Sequence, residues 1–140
     1  MKTITWKIHL KSSPEIIFNF LVTAEGREKF WSEKALEKNG VIHFLFPNGE
    51  HYEGRVLKII TNKEFHLDYF NSIVKFQLAP SGNHGTDVTL TNEGVSEDDF
   101  MEVHSGWVSV LLNLKAAVDF QIDLRNHHPD KTWNEKFVDN

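Results

Sequence analysis

The sequence contains no cysteine and only five alanines among its 140 residues. Without cysteine, the chain can form no disulfide, supply no thiolate nucleophile and hold no zinc site of the cysteine type. It also lacks an apolar run long enough to cross a bilayer, and Lys7 and Lys11 interrupt the amino-terminal pattern where a secretory leader would need its apolar core. We therefore expect a cytoplasmic protein.

Basic side chains are fewer than acidic ones. The chain has 15 lysines and arginines against 20 aspartates and glutamates, which gives a formal net charge of −5 with neutral histidines. Nonspecific binding to nucleic acid or to an anionic membrane depends on a basic surface. We therefore expect neither nucleic acid nor a membrane as a partner.

Aromatic side chains supply much of the apolar volume. The sequence has 11 phenylalanines and 4 tryptophans, and large rings beside β-branched residues suit a half-buried sheet better than a bundle of closely packed helices. The composition therefore disfavours an all-helical fold. The length suits a single domain.

Hydrophobic periodicity divides the chain into strands and helices. Apolar and polar residues alternate from Thr3 to Lys11, which predicts a first strand. Ser13 and Pro14 have the residue types of a helix start, and Thr23 can cap a second short helix over about 24–31. A period of two then predicts five further strands, around 42–46, 52–60, 65–69, 74–78 and 86–92, separated by turns at 47–49, 61–63 and 71–72 and by a loop at 80–85.

A long helix is predicted after the last strand. Ser96 and Asp99 resemble a capping box, and apolar residues then recur at three- and four-residue spacing over roughly 25 residues, to an end near Asn126. Only this helix is long enough to cover the apolar face of the sheet. The sequence therefore predicts an α+β fold, in which a curved antiparallel sheet of about six strands wraps around a long C-terminal helix, with two short helices after strand one.

Several short motifs resemble the START-like superfamily, also called helix-grip, Bet v 1-like or SRPBCC. Within it, the chain is most similar to bacterial single-domain proteins that resemble the carboxy-terminal domain of activators of the Hsp90 ATPase. The matching residues span about 3–120: Ser13–Phe18, Trp31, Gly49–Val56, Gly85–Leu90, and Gly106-Trp107 with Leu111, Asn113 and Leu114. The superfamily includes lipid carriers, ligand sensors, cyclases and chaperone activators, so the resemblance implies a fold more specifically than an activity.

The expected function is the binding of a small, mostly apolar ligand in a hydrophobic cavity between the sheet and the C-terminal helix, without catalysis and without a cofactor. The predicted lining residues lie on the inward parity of the strands, on the helix or, for Trp31, at the end of the second short helix. They are Trp31, Phe44, Phe46, Tyr52, Val56, Phe65, Leu67, Tyr69, Phe76, Leu78, Leu90, Trp107, Leu111 and Leu114. The same residues could instead fill the interior completely, and the sequence leaves these two alternatives open.

Two other functions remain as alternatives. The family resemblance implies a possible protein-interaction module that contacts a chaperone. A cyclase or hydratase would need an acid–base group in the pocket, for which only Tyr52, Tyr69, Arg55 and the histidines qualify. Strand parity points Arg55 away from Tyr52 and Val56 unless a bulge inverts it.

No metal site is predicted, because the eight histidines show no paired helical ligand motif. His51 with Glu53, and His66 with Asp68, share strand faces, but alternation alone favours solvent-facing positions for them.

The residues after the predicted START-like domain, 1–126, form a tail without periodicity. This extension, 127–140, carries Trp133 and Phe137. Aromatic rings in a tail usually pack against another surface. That surface could belong to the same chain or to a second copy in a homodimer. The sequence does not decide between them.

Overall fold

The structure is a computed structural model that describes residues 1–140. Seven strands and three α-helices follow one another, and a 3-10 turn lies near the C-terminus. In chain order the elements are β1 (Lys2–Leu10), α1 (Pro14–Val22), α2 (Ala24–Arg27), β2 (Lys34–Lys38), β3 (Val41–Leu45), β4 (His51–Ile60), β5 (Glu64–Tyr69), β6 (Ser72–Ser81), β7 (Gly85–Val95), α3 (Phe100–Phe120) and the 3-10 turn Trp133–Glu135.

The strands form one antiparallel sheet in the order β1-β7-β6-β5-β4-β3-β2. From β2 to β7 each strand pairs with the next along the chain, whereas β1 pairs with β7, so that Leu10 lies opposite Thr86 and Ile4 opposite Asn92. Ile4 and Leu10 are buried, as the alternation predicts. The α+β fold with an antiparallel sheet and a long C-terminal helix is therefore confirmed.

The sheet has one strand more than predicted. The additional strand, β2, pairs with β3, and Ala35 lies opposite Phe44. Ala35 is the only buried residue of β2, and three of its five residues are charged. A single small apolar side chain gives almost no alternation signal, so periodicity did not detect this edge strand.

Two helices are shorter than predicted. α2 ends at Arg27 rather than near Trp31, and the chain then turns so that Phe30 and Trp31 are buried. α3 ends at Phe120 rather than near Asn126 because Gln121 adopts a left-handed conformation, with φ of 54°. Such a residue stops a helix and satisfies its last carbonyls. The 21 residues of α3 span about 31 Å, still long enough to cross the sheet.

The turns differ in detail from the sequence prediction. The turn between β5 and β6 consists of Phe70 and Asn71, both with positive φ, rather than Asn71 and Ser72. The loop between β6 and β7 is only three residues long, because the strands extend to Ser81 and start again at Gly85. Positive φ at both central residues matches the twist of a tight hairpin.

The core lies between the sheet and the helices. Leu111, Leu114 and Val118 of α3 are buried, as are Ile17 and Leu21 of α1. The buried carboxylate of Asp119 accepts hydrogen bonds from Lys11 N at 2.9 Å and Ser12 Oγ at 2.8 Å, which attaches the end of α3 to the end of β1. No helix combines the length and the hydropathy required to cross a bilayer.

The segment after α3 folds back onto the same chain. The buried Arg125 guanidinium donates to Ser32 O at 3.0 Å and to Glu28 O at 2.6 Å, and Asn126 N donates to Asp139 O at 2.7 Å. Thr132, which caps the 3-10 turn, is also buried. The tail is thus held within one chain, and a homodimer through Trp133 and Phe137 stays a prediction.

Candidate ligand cavity

A cavity of about 440 Å³ lies at one end of the interior, between the sheet and the first half of α3. Its walls come from six parts of the chain. They are Phe30 and Trp31 before β2; Phe46, Pro47, Asn48 and Glu50 at the β3–β4 turn; Tyr69, Phe70 and Ser72 at the β5–β6 turn; Asn92, Val95 and Ser96 at the end of β7; Asp99, Glu102, Val103, Gly106, Trp107, Ser109, Val110 and Asn113 on or before α3; and Trp133, Asn134 and Asn140 in the tail.

Trp31 is the centre of the aromatic wall. Its ring centroid lies 5.1 Å from that of Phe44, 5.5 Å from Tyr69 and 6.0 Å from Trp107. These tilted and edge-to-face arrangements are the favoured geometries for aromatic pairs. The early end of α2 is what turns Trp31 inward, so the wall depends on a local feature that periodicity missed.

α3 presents one side to the cavity through residues three and four apart. Val103, Gly106, Val110 and Asn113 follow this spacing, which places them along one helix face. Gly106 has no side chain, and a Cβ built on it would meet no atom within 4 Å. The helix therefore leaves open space where a larger residue would project.

Hydrogen bonds connect the polar groups on the sheet side of the cavity, which we call its floor and which comprises Tyr69, Ser72 and Asn92. Trp107 Nε1 donates to Asn92 Oδ1 at 2.9 Å, and Asn92 Nδ2 donates to Ser72 Oγ at 2.8 Å. Ser72 Oγ donates to the Tyr69 carbonyl at 2.6 Å. Trp31 Nε1 donates to Tyr69 Oη at 3.1 Å. Two indole groups and one amide are thus satisfied inside the protein, and they fix the orientation of the aromatic wall.

Burial raises the pKa of Tyr69 well above its usual value, although the hydrogen bond from Trp31 acts in the opposite direction. Burial has this effect because the phenolate is poorly solvated away from water. Tyr69 therefore keeps its proton at neutral pH and remains a hydrogen-bond donor.

The charged groups at the cavity are all acidic. Glu50, Asp99 and Glu102 belong to the lining, whereas no lysine, arginine or histidine does. Asp99 and Glu102 stand at the start of α3, where the helix dipole favours negative charge. The cavity lining thus combines aromatic rings with three negatively charged side chains.

The tail closes one side of the cavity. Asn48 Nδ2 donates to Asn134 Oδ1 at 2.8 Å, Trp133 Nε1 donates to Glu102 Oε1 at 2.9 Å, and Ser109 Oγ donates to Val138 O at 3.0 Å. These contacts join the β3–β4 turn to α3 across the tail.

Four of the fourteen predicted lining residues border this cavity: Trp31, Phe46, Tyr69 and Trp107. Eight others are buried in the packed core instead, namely Phe44, Phe65, Leu67, Phe76, Leu78, Leu90, Leu111 and Leu114. Their parity is inward as predicted, but they pack against one another deeper in the interior. These side chains therefore fill most of the interior, and the space that the other four residues border lies at one end of it.

Tyr52 and Val56 are half-buried and do not border the cavity. Tyr52 stacks on Phe70 with centroids 4.2 Å apart, and its hydroxyl donates to Asp68 Oδ1 at 2.5 Å. Burial and this hydrogen bond raise the pKa of Tyr52. Arg55 is exposed, in agreement with strand parity, and it does not border the cavity.

Two of the histidines on the strands, His43 and His66, each lie beside one carboxylate. His43 Nδ1 lies 3.3 Å from Glu53 Oε1, and His66 Nε2 lies 2.8 Å from Glu64 Oε1. The sequence favoured solvent-facing positions for His51 and His66. His51 is exposed, whereas His66 is buried, and His51 does not pair with Glu53, nor His66 with Asp68. No three histidine, aspartate or glutamate side chains are grouped as metal ligands would be.

Sequence reasoning missed several cavity residues. Gly106 and Asn113 were noted only as parts of a family resemblance, yet a glycine and an amide on an otherwise apolar helix face are themselves signals of an opening. Phe70 was missed because the turn was placed one residue too late. The sequence did not show which surface Trp133 packs against. In the structure the tail folds back and Trp133 lines the cavity.

A comparison with known families identifies the family of this chain. Residues 11–119 match the profile of the family described as Activator of Hsp90 ATPase homolog 1-like protein. No curated protein matches the sequence.

Among solved structures, the Aha1 dimer from Colwellia psychrerythraea is 28% identical, with a TM-score of 0.74 over 86% of this chain and 98% of that one. A Staphylococcus saprophyticus protein is 20% identical, with a TM-score of 0.75 over 86% of this chain and 94% of that one. A Chromobacterium violaceum protein is 24% identical, with a TM-score of 0.71 over 85% of this chain and 99% of that one. The last two show likeness of fold alone.

Proposed function

The chain belongs to the family of Activator of Hsp90 ATPase homolog 1-like proteins, and we propose that it binds a small, mostly apolar molecule between the sheet and α3. The observation that carries this proposal is the cavity of about 440 Å³ with its aromatic walls. Cavities of this size that are lined by rings and a few polar groups are typical of small-molecule sites.

The position of the cavity also supports binding. The interior is filled by Phe65, Phe76 and their neighbours, so the fold has enough large side chains to pack its centre. It nevertheless keeps a glycine, Gly106, on the helix face that borders the open end. Glycine inside a helix costs up to about 1 kcal/mol relative to alanine, which is consistent with a use for the space.

Gly106→Phe tests this proposal. The added ring projects into open space, so we expect the variant to fold and to lose ligand binding. Native mass spectrometry and thermal shift against a panel of uncharged and acidic apolar metabolites would first identify a binder. Gly106→Ala is the matched control on the same residue, and Leu112→Phe adds the same ring at a position of α3 that is half exposed. Loss of binding in G106F with retention in both controls supports the cavity, whereas equal binding in all variants contradicts it.

A protein-interaction role is the second candidate, because the family is described by its activation of the Hsp90 ATPase. For this chain, such a role would act through its surface rather than its cavity. A pull-down with the chaperone, followed by an ATPase assay, tests it. Chaperone binding that survives G106F would support this role as a separate function, and the absence of both association and stimulation would remove it.

A further inference from the structure

Asn113 is a buried polar residue without a hydrogen-bonding partner for its side chain. It lies on α3 among apolar residues, is only 8% exposed and borders the cavity. No side-chain nitrogen or oxygen that is completely enclosed lacks a partner in this protein. The amide atoms of Asn113 therefore reach the cavity space rather than being sealed in the core.

An unpaired amide at this depth calls for an explanation. Buried polar side chains are nearly always hydrogen-bonded. Because the Asn113 amide opens onto the cavity, its partner must be a molecule that occupies the cavity, either water or a ligand. Leucine would fit the apolar pattern of α3 better at this position. The neighbouring polar residue of the floor, Asn92, is fully paired with Trp107, Ser72 and Ile73, so its amide already has its partners within the protein.

Tyr69 contributes a second free hydrogen-bonding group. An indole nitrogen can only donate, so in the contact between Trp31 Nε1 and Tyr69 Oη the tyrosine oxygen is the acceptor. The phenolic proton finds no acceptor within the protein. Tyr52 is different, because its hydroxyl donates to Asp68. Among the tyrosines, only Tyr69 thus has a proton to offer, and it lines the cavity.

The charges at the cavity restrict the ligand further. The lining offers three carboxylates and no cationic side chain. A carboxylate or phosphate on the ligand would lose its water without gaining a counter-charge, and it would face Glu50, Asp99 and Glu102. The site therefore disfavours an anionic head group.

We propose that the cavity takes an uncharged ring compound with an acceptor oxygen such as a carbonyl, and that the Tyr69 hydroxyl and the Asn113 amide are its polar anchors. This inference rests on the proposed function, since it requires that the cavity binds an apolar molecule. It adds the chemical class of that molecule and the two residues that select it.

Three probes with one ring skeleton separate the contributions. Fluorene supplies rings without an acceptor, 9-fluorenone adds a carbonyl, and fluorene-9-carboxylate adds a charge. Titration calorimetry with the full chain should give fluorenone about tenfold tighter binding than fluorene, because one added hydrogen bond in a partly dry site is worth about one factor of ten. The carboxylate should bind more weakly than either.

Two variants test whether Tyr69 and Asn113 cause the preference for fluorenone over fluorene. Tyr69→Phe and Asn113→Leu each remove one anchor, and in the double variant fluorenone should bind no better than fluorene, while fluorene keeps its affinity. Tyr52→Phe is the matched control, because it removes a hydroxyl from a tyrosine outside the cavity, and it should leave all three affinities unchanged. Y69F also removes the acceptor of the Trp31 indole hydrogen bond, so thermal unfolding is needed to check that this variant folds. N113L leaves that hydrogen bond in place and therefore tests the fluorenone preference independently.

The outcomes distinguish the two proposals. Equal affinity of the wild-type chain for fluorene and fluorenone, or tighter binding of the carboxylate, overturns this inference and leaves the binding of apolar molecules intact. A fluorenone preference that persists in the double variant overturns the roles of Tyr69 and Asn113. If none of the probes binds and the metabolite panel is also negative, the proposed function fails and this inference fails with it.

Discussion

A methyl group added at Gly26 meets very different surroundings from one added at Gly106. At Gly26 the new Cβ would lie 2.4 Å from Phe20 Cα and 2.6 Å from Phe20 O, which are backbone atoms of α1 that cannot rotate away. At Gly106 it would meet nothing within 4 Å. The first glycine allows α2 to pack closely on α1, and the second leaves room in the cavity.

Alanine at the two positions should therefore change stability in opposite directions. We expect Gly26→Ala to lower the free energy of unfolding by about 2 kcal/mol, because the helices must separate. Gly106→Ala should raise it by about 0.5 to 1 kcal/mol, because alanine favours the helix and restricts the unfolded chain. Urea unfolding followed by circular dichroism measures both. A stabilised G26A, or a strongly destabilised G106A, would contradict this account of the two sites.

Among the elements, the tail is held by a charge cluster that responds to pH. His127 Nε2 lies 2.7 Å from Asp123 Oδ2, and His127 Nδ1 lies 2.7 Å from Glu33 Oε2. The hydrogen bond to Asp123 is the main reason that the pKa of His127 is raised, and that to Glu33 adds to it, against partial burial and the nearby Arg125. Partial burial would raise the pKa of Asp123, but hydrogen bonds from Arg125 and His127 outweigh it and lower the pKa to about 2.

The attachment of the tail should weaken as the pH rises. A raised histidine pKa in the folded state means that the stabilisation is complete below the unfolded pKa of about 6.5 and is lost as the pH rises through the folded value. The contribution of Asp123 is lost only as the pH falls toward 2. Amide hydrogen exchange across 127–140, corrected for intrinsic rates, should therefore be slower at pH 5.5 than at pH 8.5. His127→Gln should abolish the difference, and a pH dependence that persists in H127Q would assign it to other groups.

The elements differ in how far the sequence reveals them. β1 was predictable because its alternation is clean over nine residues, and α3 because its apolar face repeats over several turns. β2 was not, since Ala35 alone points inward. The end of α3 was also missed, because the left-handed conformation falls on Gln121 rather than on the glycine or asparagine that usually marks such an end.

At the scale of the whole molecule, the tail can be removed without cutting the sheet or α3. A chain that ends at Asn126 keeps Arg125 and its contacts with Glu28 and Ser32. Because Trp133 already contacts Glu102 within one chain, we expect light scattering to give the same number of subunits for the shortened and the full chain. A full chain with two subunits and a shortened chain with one would instead support a homodimer held through Trp133 and Phe137.

The overall architecture was predictable, but the position of the cavity was not. Strand parity tells which side chains point inward, and it placed residues such as Phe65 and Phe76 correctly in the interior. It does not tell how deep a side chain lies or where packing stops. The opening depends on Gly106, on the turn that aims Trp31 and on the tail, and these lie far apart in the sequence, so their meeting is a property of the folded chain.

The pairing of β1 with β7 has a consequence for synthesis. β1 leaves the ribosome before the other strands of this sheet, yet its only partner in the sheet begins at Gly85. Until then it remains an unpaired strand with an apolar face, which is the kind of segment that chaperones protect. α3 and the tail emerge later still, so the cavity is completed only after Trp133, Asn134 and Asn140 have been synthesised. A small molecule that enters it can therefore stabilise the finished chain but cannot guide the early steps of its folding.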